Sequence, residues 1–117
     1  MVKTYNIIYQ DQAIGVFTET YADYEVTLHI QMDKTLEKAK FPASLYVLVD
    51  DNYEIENELA WVWLDSRIIP STRINIESNL KAMGLSEYDP LAIFHWTKGR
   101  CTADKAYLEL APVPDAG

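Results

Sequence analysis

The chain has few of the residues that build catalytic, metal or redox centres. It contains one cysteine, Cys101, so no disulfide can form within it, and only two histidines, His29 and His95. Structural metal sites usually need several such ligands at close spacing. Its four glycines form no G-x-G-x-x-G, P-loop or G-x-S-x-G motif. The sequence therefore predicts no metal site, no cofactor and no enzymatic activity.

Long apolar runs are also missing. No stretch reaches the roughly 18 apolar residues that a membrane-spanning helix needs. The opening MVKTYNIIYQDQ lacks the charged start and unbroken apolar core of a signal peptide. We therefore expect a cytoplasmic protein that makes no membrane contact.

Positive charge is absent from the middle of the chain. The formal net charge is −8, and residues 41–66 hold six Asp or Glu with no Lys or Arg. Affinity for nucleic acid depends on Lys and Arg that neutralise phosphates, so direct binding to DNA or RNA is disfavoured. The acidity suits a protein partner with a basic surface.

The remaining composition is that of an ordinary globular domain. The 117 residues are 49% hydrophobic and 24% charged. We expect residues 1–111 to form a single α+β domain, with a small antiparallel sheet in the N-terminal half and about three helices in the C-terminal half. Residues 112–117 are expected to be a flexible tail.

Alternating patterns predict the strands. The first two, Lys3–Tyr9 and Ala13–Thr18, flank a turn at Asp11–Gln12. In the next, Tyr24–Ile30, the even-numbered residues are apolar or aromatic, which indicates one buried face. Two more β-prone segments are Ser44–Val49 and Ala106–Leu110.

Helical spacing and capping residues predict the helices. The first runs from about Glu54 to Asp65. The second follows Pro70, runs to about Met83 and is ended by Gly84. Its predicted inner stripe is Ile74, Ile76, Leu80 and Met83. The third is capped by Asp89, has Pro90 at its first position and is closed by Gly99. The segment Asp33–Lys40 permits a further short helix, which Pro42 would stop.

The segment DDNYEIENELAWVWLD, Asp50 to Asp65, is the leading candidate for a binding surface. On a helix it forms two stripes: Glu54, Glu58, Trp61 and Asp65 on one side, and Ile55, Leu59, Val62 and Trp63 on the other. An aromatic anchor with an acidic rim is typical of a protein interface, so these four outer residues, with Trp63 next, are the predicted partner-binding set. Trp61 can equally lie over the edge of the core with its indole N–H towards water.

Two stretches of the chain resemble the N-terminal subdomain of HipA-type serine/threonine kinases. YNIIYQDQAIGVFTE with FPASL is similar to its opening strands, and WLDSRIIPSTRINIESNLKAMGLSEYDPLAIFHWTKGRCTADKAYLEL is similar to the part that follows. The family's G-x-D-x-x-G-A ending is replaced here by Gly99-Arg100-Cys101-Thr102-Ala103-Asp104. The ATP loop, the catalytic Asp and the metal-binding Asp of such kinases lie in later domains that have no counterpart in this chain.

The resemblance implies a function without catalysis. In HipBST-type toxin–antitoxin systems this subdomain is a separate small protein that neutralises a truncated kinase. The chain would then be an antitoxin-like regulator that binds and inhibits a HipA-like kinase. Two alternatives stay open: a phage or mobile-element inhibitor, such as an anti-CRISPR protein, whose acidic surface blocks a nucleic-acid-binding protein, and a small enzyme with an unrecognised site.

Arg67 and Arg73 flank the corner between the first two predicted helices. We expect them to bond carbonyls or carboxylates of neighbouring elements and so fix that corner. A ligand-binding role for this pair is the second interpretation.

Overall fold

The fold begins with a tight β-hairpin. The computed structural model describes residues 1–110, so the tail predicted at 112–117 lies outside the described residues. Strands β1 (Val2–Tyr9) and β2 (Gln12–Ala22) are joined by Gln10 and Asp11. Both linking residues have positive φ, 53° and 62°. This left-handed backbone matches the twist of paired strands. The turn therefore lies one residue earlier than the predicted turn at Asp11–Gln12.

Five antiparallel strands form one sheet in the order β4-β3-β2-β1-β5. The remaining three strands are β3 (Glu25–Met32), β4 (Glu54–Ile55) and β5 (Tyr107–Leu110). β1 therefore lies between β2 and the last strand of the described chain. With four α-helices added, the predicted α+β class is confirmed.

One face of the sheet is covered by helices and the other is open. Residues of β2 that share the covered face include Phe17, Glu19 and Tyr21, because side chains alternate along a strand. The core is formed by apolar residues from the strands and the helices: Ile7, Phe17, Leu28, Ile30, Met32, Ile55, Trp63, Leu64 and Phe94. The open face carries polar side chains such as Thr18 and His29, which is the usual arrangement for an antiparallel sheet.

The segment predicted as a strand at Ser44–Val49 is instead helical. Helix α1 spans Ala43–Tyr46. The Pro42 carbonyl accepts hydrogen bonds from the N–H groups of Leu45 and Tyr46, both 3.0 Å long. Leu45 is fully buried, and the next core contacts come from Leu48 and Val49, at helical spacing. Core packing therefore overrides the β propensity of this short run. The helix-permissive segment before it contains only a 3-10 turn at Lys38–Lys40.

Helix α2 starts three residues later than predicted. It spans Asn57–Asp65, because Glu54 and Ile55 form β4. Ile55 pairs with Ile30 of β3 and is fully buried, so the sheet holds this segment extended. The Asn57 side chain then accepts a 2.8 Å hydrogen bond from the Leu28 N–H at the edge of β3.

The last two helices end where the glycines predicted. α3 is Ile76–Ala82 and α4 is Pro90–Trp96. Gly84 and Gly99 follow them with φ of 75° and 73°, a backbone that favours glycine. The Asp89 side chain caps α4 by accepting a hydrogen bond from the Ala92 N–H. No helix within residues 1–110 is long and apolar enough to cross a membrane.

The predicted inner stripe of α3 is correct only in part. Leu80 is 8% exposed, and Ile76 and Met83 are partly buried. Ile74 is 96% exposed, because the helix begins two residues after it and the segment from Pro70 to Ile74 is a pair of turns.

Arg67 fixes the corner after α2, as predicted, but the same prediction is wrong for Arg73, which is exposed and makes no such bond within residues 1–110. Its Nε donates to the Gly99 carbonyl at 2.6 Å, and its Nη2 donates to the Ala106 carbonyl at 2.8 Å. Its two terminal nitrogens also donate to the Asp104 carboxylate at 3.0 and 2.8 Å. The guanidinium lies 4.8 Å from the Trp63 ring. One buried arginine therefore ties α2 to the segment that leads into β5.

Candidate functional site

The exposed face of α2 combines apolar and acidic side chains. We call Glu58, Leu59, Val62 and Asp65 the α2 stripe. Leu59 is 43% exposed and Val62 is 53% exposed, with Glu58 and Asp65 exposed beside them. At 100° per residue Val62 lies in the middle of this face. The α2 stripe is therefore an apolar centre with an acidic rim.

This arrangement corrects the predicted rotation of α2. Leu59 and Val62 were expected on the buried side, but the buried positions are Ala60, Trp63 and Leu64. Helix α2 packs against β3 and α4, and these three residues lie on the side of the helix that faces the core. Trp63 is 1% exposed and donates its indole N–H to the Ser44 hydroxyl at 3.2 Å. It belongs to the core, so it offers no side chain to a partner in this structure.

Trp61 lies at the border between the core and the surface. Its side chain is partly buried and packs against the core. It also forms one wall of an open groove of about 570 Å³, opposite Tyr21, Leu91 and His95. Trp61 therefore packs on the core and is also accessible in the groove, and its role as an anchor for a partner stays a prediction.

Behind two residues that line this groove, Tyr21 and His95, lies a buried acid that the sequence interpretation missed. Glu19 of β2 is fully buried. Its Oε1 accepts a 2.8 Å hydrogen bond from the Tyr21 hydroxyl. Its Oε2 lies 2.6 Å from Nε2 of His95, although no donor is well aligned with that oxygen. The contact is an ion pair when His95 is protonated.

Glu19 also controls the two tyrosines beside it. Burial, followed by the hydrogen bond to Glu19, raises the pKa of the Tyr21 phenol far above its usual range. Burial and the nearby Glu19 charge raise the pKa of Tyr5 in the same direction. Both phenols thus stay neutral at physiological pH, and each hydroxyl can donate or accept a hydrogen bond. The burial of Glu19 could have been predicted from the alternation along β2, because Glu19 lies between Phe17 and Tyr21 on the same face of the strand.

Glu54 lies apart from the α2 stripe, on the open face of the sheet. It belongs to β4, and its Oε1 is 3.2 Å from Nε2 of His29. One ligand atom from each of His29, Glu54 and Glu56 falls within 4.8 Å of the other two. These three side chains are the group in the described chain that is spaced to hold a metal ion. The predicted set is therefore split: Glu58 and Asp65 flank the α2 stripe, Trp61 lines the groove, and Glu54 and Trp63 lie elsewhere.

Comparison with known proteins adds no relative. No family model, curated protein or solved structure matches this chain.

Proposed function

We propose that this protein is a non-enzymatic regulator that binds another protein through the α2 stripe. The observation that carries the proposal is the exposure of Leu59 and Val62 on a helix whose neighbouring positions are acidic. Interfaces concentrate their energy in apolar residues at the centre of a patch, while charges at the rim steer association. Trp61 extends the same surface into the adjoining groove.

Charge complementarity defines the kind of partner. Residues 41–66 hold six acids and no base, and five of the six acids are exposed. The partner would present an apolar pocket for Val62 with Lys or Arg at its rim. The resemblance to the N-terminal subdomain of HipA-type kinases supports a HipA-like kinase, which the chain would inhibit as an antitoxin does. Such a pair would act in the cytoplasm, where a lone thiol such as Cys101 stays reduced.

Two matched variants test the proposal. Val62→Asp places a charge in the centre of the α2 stripe, and Ile74→Asp makes the same chemical change at a residue that is 96% exposed outside it. The wild type and both variants are immobilised and exposed to host lysate at low and moderate salt, with bound proteins identified by mass spectrometry. We expect wild type and Ile74→Asp to retain a HipA-like kinase, and Val62→Asp to lose at least about 30-fold in affinity, as is typical of an interface hot spot.

The same experiment separates the alternatives. Trp61→Ala, run in parallel, shows whether the groove takes part in the contact. If the captured protein is a nucleic-acid-binding effector that is released at moderate salt, and Val62→Asp binds it as wild type does, the acidic decoy is the correct function. Inhibition of the purified kinase by wild type, and its absence with Val62→Asp, completes the test.

A further inference from the structure

All three arginines of the chain line one groove. Arg67, Arg73 and Arg100 surround a cavity of about 270 Å³, which also includes Pro70 and Thr102. No Asp or Glu lines it. With three arginines and no acid in its lining, this groove is locally basic on a protein of net charge −8.

Within residues 1–110, two of the three guanidinium groups have no ion-pair or hydrogen-bond partner. Arg67 is neutralised by Asp104 and donates to two backbone carbonyls, so it builds the wall of the groove. Arg73 and Arg100 are exposed, and within residues 1–110 neither has an acid within 4 Å nor a hydrogen-bond acceptor for its side chain. The Arg100 guanidinium lies 4.5 Å from the centre of the ring of Tyr107, a residue of a neighbouring groove that Arg100 also borders, and this contact leaves its N–H groups available.

Neighbouring hydroxyl groups decide how the groove can bind. The hydroxyls of Ser66 and Thr97 donate to backbone carbonyls of their own helices. Thr102 has no such partner among the described residues, so its hydroxyl remains a possible third donor. The groove thus offers donors on Arg73, Arg100 and Thr102 and has no carboxylate among its lining residues, which fits an ionised ligand with several acceptor oxygens.

We propose that this groove binds a phosphate group, either as the free ion or as a phosphate monoester. Arg73 and Arg100 would each donate two parallel N–H bonds to its oxygens, the geometry that guanidinium groups favour with phosphate. Thr102 would supply a further donor. Arg67 is the positioning residue, because its bonds to Gly99, Asp104 and Ala106 fix the segment that carries Arg100 and Thr102.

Titration with inorganic phosphate at constant ionic strength tests the site. Proton–nitrogen correlation spectra of the full chain are followed for the wild type and for Arg73→Ala/Arg100→Ala. The control is Lys34→Ala/Lys81→Ala, which removes the same charge at exposed positions that do not line the groove. We expect saturable shifts at groove residues in the wild type and in the lysine control. In Arg73→Ala/Arg100→Ala, the affinity for phosphate is expected to be weaker by about tenfold for each lost arginine. Equal weakening in both double variants, or equal shifts with chloride, would overturn the proposal.

A second set of ligands distinguishes the two sources of phosphate. O-phospho-L-serine carries the monoester, and L-serine is the matched compound without the phosphate group. Tighter binding of phosphoserine than of inorganic phosphate assigns the groove to a phosphorylated side chain or metabolite, and the reverse order assigns it to the free ion. Binding of serine as tight as that of phosphoserine would show that the phosphate group is not what the groove recognises.

Cys101 gives a readout that needs no arginine variant. It is the sole cysteine, is partly exposed and lines the same groove. We expect inorganic phosphate to slow its alkylation by iodoacetamide in a saturable manner, with the midpoint found in the spectra. An alkylation rate that does not change with phosphate, alongside spectra that do not shift, means that the groove binds no phosphate.

Discussion

Arg67 joins segments that lie 32 to 39 residues apart in the chain. Its side chain is 1% exposed, and the Asp104 side chain that balances its charge is 12% exposed. A charge at this depth is stable because four hydrogen bonds join the guanidinium to oxygens of Gly99, Asp104 and Ala106 and because it lies over the Trp63 ring. The residue therefore acts as a structural crosslink.

Replacement of Arg67 by Ala is expected to lower the free energy of unfolding by about 3–5 kcal/mol, because Asp104 and two carbonyls lose their donor. Urea denaturation measures the loss. Arg73→Ala is the matched control, with an expected change within about 0.5 kcal/mol, because Arg73 is exposed. Similar losses for both variants would contradict the structural role assigned to Arg67.

Asp104 makes the stability depend on pH. Burial, the largest single effect, opposes ionisation, but hydrogen bonds from Arg67, Ser44 and the Ala106 N–H together lower the pKa of its carboxyl. A lowered folded-state pKa contributes stability that is present above the unfolded-state pKa, about 3.9, and is lost as pH falls through the folded-state value. We expect Asp104→Asn to be less stable than wild type at neutral pH, with the gap narrowing below about pH 4. A gap that is constant between neutral and acid pH would rule this out.

The buried Glu19 contacts His95, whose side chain is partly exposed, so the two residues are expected to be energetically coupled. His95→Leu leaves the buried carboxylate with the Tyr21 hydroxyl but without its contact at Oε2, and is expected to cost about 1–3 kcal/mol. The double variant Glu19→Leu/His95→Leu removes both charges and is expected to cost less than His95→Leu alone. Thermal and urea unfolding of the single and double variants measure the coupling. Additive losses would show that the pair is not energetically linked.

At the scale of elements, α2 has two faces with different tasks. Trp63 is in the core, and Val62, its neighbour in sequence, is 53% exposed. Trp63→Ala is expected to lower the free energy of unfolding by about 3–5 kcal/mol, whereas Val62→Ala should change it by about 0.5 kcal/mol or less. If chemical denaturation gives the reverse order, α2 is rotated relative to the structure described above.

Local signals predicted most of the elements. The hairpin, β3, β5 and the capped helix α4 follow from alternation, from Asp89–Pro90 and from Gly99. The prediction of a strand at Ser44–Val49 was wrong, because the β propensity of six residues is too small to outweigh the packing of Leu45. Helix α2 contains an unbroken apolar run from Leu59 to Leu64, so its sequence alone does not fix which side is buried. The sheet that it covers makes that choice.

The candidate site was predictable from the sequence only in part. The acidic character of residues 41–66 and the position of Trp61 near a surface are readable from the sequence. The arginine groove is not, because Arg67, Arg73 and Arg100 meet only after two loops have folded together. Glu19 is hidden for a similar reason: its partner His95 comes from a helix more than seventy residues away.

At the scale of the whole molecule, the net charge is expected to act on the rate of association with a partner more than on the rate of dissociation. With a net charge of −8 and six acids between residues 41 and 66, encounter with a basic partner should be electrostatically steered. Raising salt from about 0.05 M to about 0.3 M is expected to slow association several-fold and leave dissociation nearly unchanged. Val62→Asp should instead speed dissociation. Surface-based binding kinetics resolve the two effects, and a salt effect confined to dissociation would contradict steering.

The position of β1 between β2 and β5 also bears on how the chain is made. About 100 residues separate β1 from β5, so at about 5–20 residues per second the ribosome needs roughly 5–20 s to deliver the neighbour that closes this edge. During that interval the nascent hairpin carries an unpaired edge, which is a template for wrong pairing. Slow decoding of the last third of the message would lengthen this exposure, so codon choice there is expected to influence the yield of folded protein.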